Sequence, residues 1–355
     1  MEKLLLNETP IRTSRNFNAN NIKLENIDIP VDIKPFSNIK IMGESSKIKI
    51  ENTPSSNKLT YGLGEILEKQ IDERANQKYK LTIDSKTNKE IILDFDFNKT
   101  NTQLISDIQI IASENTKSTV ILEYKCDDEE IEFFNNNKIT LLAKENSNID
   151  IIIVNLLNIK SNNFLSIENR LEKGAKAKYT IVDLGGKNSL TNYYSNLLEE
   201  KSDNRLDVIY LGKERQTFDL NYIGELRGEK TNIDIEVQGA LKDYAKKHFK
   251  GTIDFKKGSK KATGNENETC ILLSKTAKSL ALPMLLCSEE DVEGNHSSSA
   301  GKIGEKELFY IMSRGFNEKE AMKIMIRAKF NKILKNIKNE ELKENILKEI
   351  DKKLS

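Results

Sequence analysis

The sequence predicts a mainly β protein that ends in a small helical domain. Three features carry this reading. Short runs of Ile, Val, Leu, Phe and Tyr follow one another from about Ser37 to Leu286, divided by turns rich in Asn, Asp, Gly, Ser and Lys. Crossover helices are missing between those runs, which excludes a doubly wound fold. After Lys302 the chain becomes rich in Lys and Glu, contains no Pro and takes on helical spacing.

Residues 1–36 form an N-terminal segment. Its Leu4 to Leu6 run is broken at once by Asn7 and Glu8, which is too short for the core of a signal peptide. Nowhere does the chain hold the ~18 consecutive apolar residues of a membrane-spanning helix. The three cysteines, Cys126, Cys270 and Cys287, are an odd number without metal-type spacing. A cytoplasmic protein is therefore expected. Lys and Arg number 56 against 55 Asp and Glu, so no global field recruits nucleic acid or an acidic membrane.

In the central region, residues 37–301, the strands read as NIKIMG, KYKLTID, EIILDFDF, TVILEYK, KITLLAK, IDIIIVNLL, AKYTIVDLGG, RLDVIYLG, NIDIEVQGA and GTIDFKK. A helical insertion at residues 65–76, in GEILEKQIDERANQ, interrupts them. Polar tips such as FNKTNTQ, SENTKS, FNNNK and KENSN suit the stacked corners of a solenoid, and they suit the wet loops of a β-sandwich equally well. No strict repeat is legible, so periodicity leaves both architectures open.

In the C-terminal region, residues 302–355, a first helix runs from Glu305 to Ser313 and closes at Gly315, a residue fitted to a left-handed C-cap. Asn317 and Glu320 have capping-box spacing for a second helix. Ala321, Ile324, Met325 and Ala328, with Met322, Ile326, Phe330, Ile333 and Ile337, give that helix a broad apolar face. A third helix from Glu340 to Lys353 aligns Leu342, Ile346, Leu347 and Ile350. So much apolar surface needs a neighbour, either the chain's own β-domain or another protein.

There are two histidines. His248, among the lysines of DYAKKHFKG, reads as an exposed imidazole at a strand edge. His296 lies in EGNHSSSAGK, where no apolar pattern asks for a ring, and an imidazole is a ligand suited to iron. Cys270 and Cys287 sit in apolar runs and read as buried small side chains. Nucleophile elbows, phosphate loops and paired catalytic carboxylates are not legible, so metal chemistry here would have to be shared with another chain.

The stretch DVEGNHSSSAGKIGEKELFYIMSRGFNEKEAMKIMIRAKF, Asp291 to Phe330, resembles the C-terminal signature of the SufB/SufD family. Asp291, Val292, His296, Gly301, Glu305, Leu308, Phe309, Tyr310, Ser313, Arg314 and Gly315 carry the match. Weaker similarity runs through ETCILLSKTAKSLALP and GTIDFKKGSKKATG, and through TPIRTSRNFN near the start. SufB members carry a cysteine after this stretch; here none follows Cys287, so the form is most like SufD.

The resemblance implies a right-handed parallel β-helix with a helical C-terminal domain, acting as a non-catalytic scaffold subunit of the SUF iron–sulfur cluster assembly complex. It implies a SufB-like sister subunit and the SufC ATPase as partners, ATP hydrolysis residing in the latter. It also implies iron or a nascent cluster held transiently at the subunit interface near His296, with no cofactor in the isolated chain. Glu305, Phe309, Tyr310, Arg314, Gly315, Met322 and Met325 then belong to the face turned to the ATPase. On the residues alone, Leu308, Phe309 and Tyr310 equally read as a cover packed on the end of the β-domain. The alternatives are a SufB-like or homodimeric scaffold without a metal role, and a parallel β-helix carbohydrate-active enzyme.

Overall fold

The computed structural model describes residues 4–12, 19–25, 27–43, 48–52 and 58–355. Residues 13–18 of TPIRTSRNFN lie outside them. The chain opens with β1 (Leu4–Leu6), β2 (Ile22–Leu24), β3 (Ile39–Met42), β4 (Ile48–Glu51) and helix α1 (Glu65–Arg74). There follow β5 (Gln77–Ile83), β6 (Lys86–Phe97), β7 (Gln103–Ala112), β8 (Lys117–Cys126), β9 (Phe134–Ala143), β10 (Asn148–Leu156), β11 (Asn162–Leu171) and β12 (Lys176–Asp183). Then come β13 (Asn188–Leu197), β14 (Asp203–Gly212), β15 (Thr217–Leu226), β16 (Asn232–Leu241), β17 (Lys246–Phe255), β18 (Ala262–Leu272), β19 (Lys278–Cys287) and β20 (Val292–Gly301). Helices α2 (Glu305–Met312), α3 (Glu318–Leu334) and α4 (Glu340–Leu354) end the chain.

Among the described residues, even-numbered strands from β6 to β20 with β3 make one nine-stranded sheet, and odd-numbered strands from β5 to β19 with β4 make a second. From β5 onward every neighbouring pair is parallel, while β3 and β4 add antiparallel edges. Each coil thus gives one strand to each sheet, and the product is a parallel β-solenoid of about eight turns.

The repeat is concealed because its period drifts. Lys117, Asn148, Lys176, Asp203, Asn232 and Thr263 stack on one another at spacings of 27 to 31 residues. One corner of successive coils is turned by Asn115, Asn146, Gly174, Lys201, Lys230 and Lys261, all left-handed with φ between 55° and 61°. In each, the backbone N–H donates to a carbonyl of the following coil, as from Asn146 to Lys173 and from Lys201 to Glu229. Only one of the six is glycine. The stacked hydrogen bond holds a conformation that the other side chains disfavour.

The main core fills the space between the sheets, with Ile, Leu, Val, Phe and Tyr from both. It has polar lines as well. Asn135 Nδ2 donates to Asn163 Oδ1, Asn163 Nδ2 to Ser189 Oγ, and Ser189 Oγ to Asp183 Oδ2, at 2.9, 2.9 and 2.7 Å. FNNN, expected at a corner, is instead the buried start of β9, with Asn135, Asn136 and Asn137 all 0% exposed. Burial pushes the Asp183 carboxyl up to about 6, against the hydrogen bonds from Ser189 and Asn155. An unfolded Asp releases its proton near pH ~3.9. Between that pH and about 6 the folded chain therefore holds the extra proton, and stability falls as pH rises. Urea denaturation of Asp183→Asn is expected to lack this slope, which is worth about 3 kcal/mol between pH 4 and pH 7. An unchanged slope in the variant would refute the assignment.

Both outer faces of the solenoid are covered. On the odd sheet, Leu6, Leu24, Leu63, Leu67 and Ile71 pack on Ile105, Phe134, Phe164 and Leu190. On the even sheet, Ile326, Phe330, Ile333, Ile346 and Ile350 of α3 and α4 pack on Ile152, Val182, Ile209 and Ile271. The helices find their neighbour along the solenoid's flank. Ile324 and Ala328 turn outward, so the apolar face of α3 is narrower than the expected stripe. The expected capping box is present, Glu320 N–H donating to Asn317 Oδ1 and Asn317 N–H to Glu320 Oε2. Among the described residues no helix is long and apolar enough to cross a membrane.

Candidate functional site at the open end of the solenoid

Strands β19 and β20 are the last members of their sheets, so each presents a row of unpaired backbone groups. Leu285, which stacks on the core residue Ile253 and faces inward with it, is 39% exposed. The end of the solenoid is bare. Leu308, Phe309 and Tyr310 do not cover it: every residue of α2 is at least partly exposed, Phe309 by 73% and Tyr310 by 59%. Helix α2 packs beside α3 instead, and Arg314 lies over the Tyr310 ring at 5.1 Å and donates to its hydroxyl at 3.0 Å. The C-cap of α2 is Ser313, and Gly315, expected to close the helix, lies two residues beyond it with a left-handed φ of 100°.

Between α2, α3 and the corner after β18 lies an open cavity of about 490 Å³, lined by Leu273, Ile303, Leu308 and Met322 with Glu305 and Glu318 at its rim. Met322 and Met325 are both half-buried. Thus the structure brings Glu305 and Met322 together at one groove, and places Phe309, Tyr310 and Arg314 on a separate exposed face.

His296 lies in β20, exposed, and stacks in register on Glu266 of β18. Glu266 is 2% exposed, and neither of its carboxyl oxygens has a hydrogen-bond partner among the described residues. Burial, with the nearby Glu268 charge, pushes its carboxyl up to about 8. Glu268 itself is fully partnered: Lys247 Nζ stands at 2.8 Å with both side chains 0% exposed, Ser298 Oγ donates at 2.7 Å and the Tyr210 hydroxyl at 3.2 Å. Sequence reasoning missed this carboxylate pair. Two glutamates two apart in GNENETC look like the solvent face of a strand, and only the register of β18 on β16 turns them inward.

Burial disfavours the thiolate of two of the three cysteines. Cys270 is buried, as expected, and burial raises its thiol. Cys126 is pushed up to about 12 by burial. Cys287 is exposed, contrary to expectation, because it ends the uncovered terminal strand β19.

His248 also corrects the sequence reading. It lies in the interior of the odd sheet between β15 and β19, its side chain is 12% exposed, and Nδ1 is 3.0 Å from Asp219 Oδ2. Its lysine neighbours misled: Lys247 and Lys250 both have fully buried side chains, each paired with a carboxylate. Among the described residues no cluster of three or more His, Cys, Asp or Glu could hold a metal ion.

Residues 95–329 match the family model described as SUF system FeS cluster assembly, SufBD core domain. The chain is 24% identical over 242 residues to the iron–sulfur cluster assembly protein SufD of Escherichia coli, covering 68% of this chain and 57% of that protein. It is 28% identical over 152 residues to the SufD of Bacillus subtilis, covering 43% and 34%. A SufBD family protein of Pyrococcus horikoshii is 30% identical over 173 residues, covering 47% and 38%. The matched region spans from about a third to somewhat over half of these relatives' length. With the core-domain match running from within β6 to within α3, the chain belongs to the SufB/SufD family of the SUF iron–sulfur cluster assembly system and is SufD-like.

Proposed function

We propose that this chain is a cytoplasmic, non-catalytic SufD-like scaffold subunit that assembles iron–sulfur clusters in complex with a SufB-like subunit and the SufC ATPase. The observation that carries the reading is the bare end of the solenoid, where two unpaired strand edges, an uncovered inward leucine and His296 coincide. A sister solenoid meets those edges by strand pairing and supplies the thiolates that this chain does not place beside His296. Iron or the nascent cluster is cargo at that junction. The ATPase docks on α2 and α3, with Phe309, Tyr310 and Arg314 as exposed anchors, Glu305 and Met322 at the groove, and Gly315 and Met325 in the same helical region. Aromatic and arginine side chains of this kind concentrate binding energy. ATP hydrolysis stays in the partner.

The test is co-expression of the tagged chain with its SufB-like and SufC partners, followed by pull-down and anaerobic iron and sulfide analysis. A stable three-component complex is expected, and His296→Ala is expected to keep the complex while losing most of its cluster. Wild-type cluster content in that variant would remove the histidine from the site. The same open edges also fit a second copy of this chain, a homodimeric scaffold; a stable two-copy particle that excludes the SufB-like partner would favour that reading.

A further inference from the structure

The interior of the solenoid changes character in its last two coils. Along the even sheet Ile151, Tyr179, Leu206, Ile235, Glu266 and His296 occupy one inward-facing line. Apolar and aromatic side chains fill it for four coils, and a carboxyl and an imidazole follow. The neighbouring line of Ile181, Val208, Val237, Glu268 and Ser298 changes at the same level. Nothing in the coil geometry demands this, since Ile235 and Val237 occupy the equivalent places one coil earlier.

The two carboxylates are not equivalent. Lys247, Ser298 and Tyr210 satisfy Glu268, so its charge is neutralised inside the fold. Glu266 has no such partner, and it is housed by a gap in the facing sheet: a Cβ at Gly251 of β17 would lie 1.9 Å from Glu266 Oε2. A glycine that opens room for a carboxyl without offering it a donor makes poor sense for packing alone, because burying an unpaired polar group is unfavourable.

It makes sense for ligation. Neighbouring strands lie about 4.8 Å apart, so stacked side chains on one face reach a common ion through bonds of about 2.1 Å from imidazole nitrogen and carboxylate oxygen. Carboxylate with imidazole is a donor pair suited to iron(II) and its neighbours among the divalent metals.

We propose that Glu266 and His296 together bind one divalent transition-metal cation of the iron(II) class at the mouth of the solenoid, with Glu266 the ligand held inside the fold. The assignment rests on the reading of His296 as the chain's metal-facing residue and extends it. The remaining coordination positions face the open end, where water fills them in the free chain and donors of the docked partner fill them in the complex. Glu268 serves as a positioning residue: its pairing with Lys247 keeps that ammonium away from Glu266.

Calorimetric titration of the purified full chain with Co(II) under anaerobic conditions tests this. One Co(II) per chain is expected, with affinity falling at least tenfold in Glu266→Gln and in His296→Ala and unchanged in His248→Ala. Glu266→Leu, which continues the apolar line, is expected to abolish binding while raising the thermal midpoint, an outcome that separates loss of a ligand from loss of the fold. A wild-type chain that does not bind Co(II), or wild-type affinity in Glu266→Gln, overturns the proposal. Pull-down with the SufB-like partner reads the scaffold role separately. A complex that forms without Co(II) binding by the free chain keeps that role and rejects this site, and a chain that binds Co(II) through Glu266 and forms no complex does the reverse.

Discussion

Replacing Lys250 with Met is expected to destabilise the chain by about 3–5 kcal/mol, the cost of removing one partner from a buried ion pair. Lys250 Nζ lies 2.6 Å from Asp219 Oδ1, both side chains are 0% exposed, and the ammonium also donates to the Asn7 carbonyl at 2.7 Å. Burial lowers the proton affinity of this lysine, and Asp219 opposes the shift. Met fills the space of the methylene stem and leaves the Asp219 carboxylate with Asn7, whose Nδ2 donates at 2.6 Å, and with His248. The N-terminal strand is fastened at the same point. Asn7 is left-handed with φ 56°, and Asn192 Nδ2 donates to its Oδ1 at 2.9 Å. Denaturant unfolding should show the loss of stability, and limited proteolysis should show earlier cleavage near β1. Pairing Lys250→Met with Asp219→Asn should recover most of the stability, since the amide still accepts from Asn7 and no charge is stranded. A single variant within 1 kcal/mol of wild type would mean that the pair adds nothing.

That cluster also shows why the odd sheet is hard to read in the sequence. The even strands advertise themselves: in IDIIIVNLL and RLDVIYLG one set of side chains enters the core while the other, with Ile152, Val154, Ile209 and Leu211, meets the C-terminal helices. Both sets are apolar, and the strands stand out. In NNFLSIENRL and NSLTNYYSNL, which form β11 and β13, polar residues face inward as well as outward, because Asn163, Ser189 and Asp183 pair with one another inside. Satisfied polar ladders look like loops when their partners lie a coil away.

The coil repeat is lost for a similar reason. A corner built by Asn, Asn, Gly, Lys, Lys and Lys has no sequence signature, since what recurs is a backbone conformation and its hydrogen bond to the next coil. At the site, His296 is legible because a ring among serines has no packing role. Glu266 is not, since its meaning depends on Ile235 above and Gly251 across the core. The resemblance to the SufB/SufD family carries the step from strands to solenoid that periodicity alone leaves undecided.

The second large effect concerns the helices. Phe330 is 1% exposed and sits in the cluster that joins α3 and α4 to the even sheet, so Phe330→Ala is expected to cost about 3–5 kcal/mol through lost burial and the cavity left behind. The loss should stay local. Stacked coils contact mainly their neighbours, and the flanking helices are joined to them by this apolar seam and by a few polar ties. Those ties include Lys332 to Glu236 at 2.9 Å, Asn336 to Asp207 at 2.8 Å, Asn339 to Glu90 at 2.9 Å and the buried Lys353 to Gln216 at 2.7 Å. Hydrogen exchange on the variant should therefore show faster exchange across α3 and α4 while β8 to β16 keep their protection. Because α2 reaches the solenoid through α3, the same variant should lose SufC in the pull-down and keep the SufB-like partner, whose proposed contact is the strand edge. Loss of both partners together would place the two contacts on one surface and contradict the division of the molecule into a strand-pairing end and a helical docking face.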